Sequence, residues 1–105
     1  MPKRKKRLFD SYNIGYMDGL EAVEEAIRKF ESGKLDCGYE SETMCLSKEA
    51  NKIIDDDYYP RYYKELIELS KLEVMDFWRV LSEIDRYWEG VYSGVMDGII
   101  EYKKF

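Results

Sequence analysis

Histidine is absent from the 105 residues, and there are only two cysteines. Without His the chain lacks the commonest general base and the commonest metal ligand. Two Cys build neither a disulfide framework nor a four-thiolate zinc site. No apolar run approaches the ~18 residues that a membrane span needs. The N-terminal residues are basic, but no apolar stretch follows them, as a secretory signal would require. Phosphate-binding loops, dinucleotide fingerprints and nucleophile elbows are missing as well. These absences predict a cytoplasmic, non-enzymatic protein with no cofactor and no bound metal. The length suits one domain with a small core.

Charge is present in quantity and unevenly placed. Seventeen Lys and Arg stand against 22 Asp and Glu. Lys3, Arg4, Lys5, Lys6 and Arg7 concentrate five positive charges in five residues, and the remaining body holds 12 basic and 22 acidic residues, a net of −10. We read residues 1–8 as a flexible basic arm and 9–105 as a single helical domain. Such an arm suits contact with a polyanion, although the acidic body would repel nucleic acid.

The apolar pattern is helical throughout, so the predicted class is all-α. Tyr16, Leu20, Val23, Ile27 and Phe30 recur at spacings of 4, 3, 4 and 3, predicting a helix over 10–32 with Asp10 or Ser11 as N-cap and Gly33 as its stop. Residues 33–46 keep no period and read as a loop holding Cys37 and Cys45, expected as free thiols in a reducing compartment. Ala50, Ile53 and Ile54 mark a short helix over 47–57, which three consecutive acids should end by opposing the helix dipole. Pro60 suits the first turn of the next helix. Ser70 and Glu73 have capping-box spacing, and Leu69 with Val74 has hydrophobic-staple spacing, so a break is placed at Ser70. From Val74 an apolar seam of Phe77, Leu81, Ile84, Trp88, Val91, Val95, Gly98 and Tyr102 alternates spacings of 3 and 4. A helix over 71–104 would be about 51 Å long, so it must kink, project or pair with a second copy. Gly90 and Gly94 are the natural kink points. The expectation is a small bundle of four helices, or five if the last one breaks near Gly90.

Residues 10–30 and 85–105 echo each other at an offset of 75. Asp10, Tyr12, Gly15 and Gly19 match Asp85, Tyr87, Gly90 and Gly94. Glycine inside a helix costs about 1 kcal/mol relative to Ala. Gly15, Gly19, Gly90, Gly94 and Gly98 therefore imply close approach of two backbones. The terminal helices packing together inside one chain is the favoured reading, and a homodimer through one Gly face is the alternative.

Candidate chemistry is thin. Adjacent Asp55, Asp56 and Asp57 lack the alternation of a calcium loop. Glu21, Glu24, Glu25, Glu65 and Glu68 lack the Glu-x-x-His pair of a di-metal bundle. The distinctive stretch is DDDYYPRYY, which packs three Asp, four Tyr and one Arg into nine residues. Tyr and Arg are enriched at binding hot spots. We therefore single out Asp55, Asp56, Asp57, Tyr58, Tyr59, Arg61 and Tyr62 as a partner-binding patch. Tyr63, Leu66 and Ile67 are expected in the core, and Tyr59 and Tyr62 on the surface. The sequence reads as an acidic protein-binding module. It would inhibit or adapt a nucleic-acid-handling protein, as DNA mimics and the anti-CRISPR proteins that phages direct against host defence do. The alternatives are a nucleic-acid accessory protein working through Lys3–Arg7 and a structural homodimer.

Overall fold

The computed structural model describes residues 9–104; the arm Lys3–Arg7 lies outside them. Four α-helices follow in order: α1 Ser11–Glu31, α2 Glu42–Ile53, α3 Tyr59–Glu73 and α4 Phe77–Lys103. No strand occurs among the described residues. The all-α class holds, but the bundle has three rods rather than four or five. A π-helical turn, Ile54–Tyr58, joins α2 and α3 into one continuous rod. The three acids do not end the helix. Pro60 offers no N–H, and its ring presses on the carbonyl one turn back. The ladder absorbs this by widening, so that the Tyr59 N–H reaches the Ile54 carbonyl five residues earlier.

The break expected at Ser70 falls later, at Val74–Asp76. Ser70 Oγ donates to the Ile67 carbonyl at 2.7 Å and caps nothing. Asp76 is the true N-cap of α4, accepting from the Arg79 N–H at 2.8 Å. Nor does α4 break near Gly90. Its 27 residues run uninterrupted, about 40 Å at 1.5 Å per residue. The molecule projects accordingly, with extents of 49 × 24 × 20 Å and a radius of gyration of 15.8 Å, against roughly 13 Å for a compact chain of this size.

The glycines do what the echo implies. A Cβ on Gly15 would overlap the Tyr87 carbonyl, and one on Gly90 would overlap the Tyr12 carbonyl. One on Gly19 would stand 2.6 Å from the Val91 oxygen, and one on Gly94 would overlap the Tyr16 oxygen. Each contact is the other's image at the offset of 75. So are two hydrogen bonds, Tyr12 Oη to Ser93 Oγ at 2.9 Å and Tyr87 Oη to Asp18 Oδ2 at 2.8 Å. α1 and α4 therefore lie parallel about a local pseudo-twofold axis. This Gly face is consumed inside the chain and is closed to the homodimer considered above. Gly98 meets only the Val23 side chain.

The middle rod runs back across this pair. Lys103 reaches Glu42 at one end, and Ser11 reaches Tyr62 farther along. Leu46, Ala50, Ile54, Tyr58, Tyr62 and Leu66 fill the groove with Ala22, Val23, Ala26, Tyr87, Val91 and Val95. Cys37 and Cys45 are bridged, contrary to the free thiols expected. The loop is shorter than anticipated, because Ser41 caps α2 through the Met44 N–H. Cys45 thus sits in the first turn of α2, with its Cα 5.5 Å from that of Cys37, within disulfide range.

Candidate functional site

The DDDYYPRYY stretch lies on the π turn and the first turn of α3, and its residues divide between core and surface. Tyr62 is 2% exposed and Tyr63 43%, the reverse of the expected faces. Ile54, Tyr58, Tyr62 and Leu66 form the buried stripe at steps of four. Tyr62 stacks on Tyr87 at 4.0 Å and on Phe9 at 5.8 Å. Its hydroxyl lies 2.6 Å from Ser11 Oγ and donates to the Glu83 carbonyl at 3.0 Å. Tyr59, half-buried, packs on Trp88 at 5.2 Å. Tyr58 and Tyr62 are thus core residues and leave the candidate patch. Asp55, Asp56, Asp57 and Arg61 stay exposed.

These acids join others from α1. The Tyr58 hydroxyl donates to Glu25 at 2.5 Å and to Glu21 at 3.3 Å. Arg61 lies 5.0 Å above the Tyr58 ring. Burial and the two carboxylates push the Tyr58 phenol well above its ordinary range. Asp57 lies near Lys29, on the α1 side, beside Glu25 and Glu49. Asp55 lies on the α4 side, lining a shallow crevice with Asn51, Trp88 and Tyr92. A second crevice is lined by Asp18, Arg61 and Glu65 among others. Burial raises the Asp18 carboxyl above its ordinary value, and the hydrogen bond from Tyr87 opposes that rise. An acidic belt results: Asp18, Glu21 and Glu25 from α1 run beside Asp57 and Glu65 of the middle rod, and Asp55 and Asp56 carry it around the rod. Arg61 and Lys29 lie among these acids.

The belt holds its carboxylates on two rigid rods, which suits charge recognition. Among the described residues no three or more carboxylates or thiols gather as a metal site. The buried phenols keep their protons; burial lifts Tyr62 to about 12. They serve as donors rather than bases. Sequence reasoning missed Asp18, whose partner Tyr87 sits 69 positions away.

A second surface lies at the far end of the molecule. Leu72, Val74, Phe77 and Trp78 are 82, 87, 66 and 75% exposed around the α3–α4 turn. The period of α4 gave no warning, because Phe77 continues a seam that is buried farther along. Comparison with protein-family models, curated proteins and solved structures gives no match.

Proposed function

We propose that the chain is a non-enzymatic protein-binding module whose acidic belt occupies the nucleic-acid site of another protein, as an inhibitor or adaptor. The observation carrying this reading is the belt itself, with carboxylates from two rods side by side. Along α1 the steps from Asp18 to Glu21 to Glu25 are about 4.5 and 6 Å at 1.5 Å per residue. That is the order of the ~3.4 Å rise between phosphates along one strand. Arg61 at its centre, exposed and lying over the Tyr58 ring, is of a residue type enriched at protein interfaces. A counter-defence inhibitor of a nucleic-acid-cutting complex is the specific case we favour.

The test is capture from host extract on immobilised protein, beside a variant carrying Asp55→Asn, Asp56→Asn and Asp57→Asn. All three side chains are exposed, so the variant should keep its helical circular dichroism. The wild type is expected to retain a nucleic-acid-binding protein, with affinity that falls as salt rises, and the variant to retain about tenfold less or lower still. Equal, salt-insensitive capture by both would rule the belt out.

A further inference from the structure

The apolar seam of α4 runs past the end of the helix that covers it. Val91 is fully buried, whereas Leu81 is 38% and Phe77 66% exposed. The cause is topological. α1 begins at Ser11, which touches Glu83. Among the described residues, the first turns of α4 therefore have the end of α3 beside them, and Phe9 and Asp10 share a crevice with Arg79 and Ser82. Around the turn, Val74 adopts φ 52 and ψ 53. This left-handed conformation is one that β-branched residues rarely adopt and glycine adopts freely. An exposed apolar side chain thus stands where glycine would relieve strain, and such strain collects at functional positions.

We propose that this tip is the surface through which two copies of the chain pair, end to end. Three observations select a second copy as the occupant. The first is area. Leu72, Val74, Phe77, Trp78 and Leu81 together expose on the order of 600 Å², at the upper limit for the largest apolar patch of an ordinary monomer. Pairing two tips would remove roughly 1,200 Å², the lower bound for a specific interface. The second is charge. Lys71 and Arg79 stand at the rim with Glu73 and Asp76, and none of the four forms an ion pair among the described residues. Two charges of each sign around an apolar centre are self-complementary under a twofold. The third is shape. The acidic belt lies on the body of a 49 Å rod, so end-to-end pairing keeps the two belts apart, whereas side-by-side pairing brings them together. Residues 1–8 are a poorer cover, since five of the eight are Lys or Arg. The pairing does not depend on what the acidic belt binds.

The experiment is sedimentation of the full chain from micromolar to near-millimolar concentration. The mass should rise toward twice the chain's 12.6 kDa. Phe77→Ser and Trp78→Ser should each raise the dissociation constant about tenfold or more, as loss of an interface hot spot does. Val74→Gly should weaken pairing while its melting temperature holds or rises, which separates loss of contact from loss of fold. A wild type that stays at 12.6 kDa at every concentration would overturn the proposal. So would pairing that all three variants leave unchanged.

Discussion

Tyr62 joins all three rods: it sits on α3, lies beside Ser11 of α1 and donates to the carbonyl of Glu83 on α4. Truncating it to Ala should cost about 3–5 kcal/mol, as removal of a buried aromatic does. A denaturant midpoint within error of wild type would contradict this. The phenol also gives the fold a pH limit. Burial pushes its pKa up to about 12 from the ordinary 10.0 of a phenol, so its contribution is complete below pH 10 and is lost as pH rises through about 12. The aromatic content of DDDYYPRYY was legible in the sequence, but its inward face was not. Tyr59, Tyr62 and Tyr63 offer two adjacent apolar stripes of similar hydropathy. The choice fell to the stripe whose hydroxyl finds buried partners on α1 and α4, contacts that helical spacing within one element does not contain. Val74 was legible as a staple residue and proved to be the left-handed stop.

At the scale of elements, the glycine pairs of α1 and α4 reverse an ordinary rule. Ala in a helix is favoured over Gly by about 1 kcal/mol. Gly19→Ala and Gly94→Ala should nevertheless each destabilise by about 1–3 kcal/mol, because the added carbon meets the opposing backbone rather than a side chain that can turn. Gly98→Ala meets only Val23 atoms at 3.1 Å and beyond, and should cost less. Chemical denaturation of the three variants checks this; stabilisation by all three would refute close backbone packing. The echo at offset 75 made this pair readable from sequence, while its parallel register came only with the contacts of Gly15, Gly19, Gly90 and Gly94. Gly90 and Gly94 do not kink α4, because their small size is spent on the approach of α1. The middle rod was harder to read. An acidic run and a proline each signal an end, and the π turn that carries the helix through them has no composition of its own. The Ser70 capping box lost to Asp76, because a helix already under way continues until the backbone reaches Val74.

For the molecule as a whole, the organising fact is the separation of an acidic body from an apolar tip. The body's surplus of negative charge was plain from composition. Its arrangement as a belt was not, since Asp18 and Glu65 come together only when the middle rod folds back across α1. The length of the last helix left kinking, projecting and pairing open, and the helix projects, with a long axis of 49 Å. The bare tip was not foreseen, because a periodic seam carries no mark of where its cover ends. The claim that the belt stands in for nucleic acid is tested most directly by competition. The partner captured on the immobilised protein should be released by duplex DNA in proportion to its concentration, the two ligands excluding each other from one site. A stable ternary complex of this protein, its partner and DNA would contradict the account.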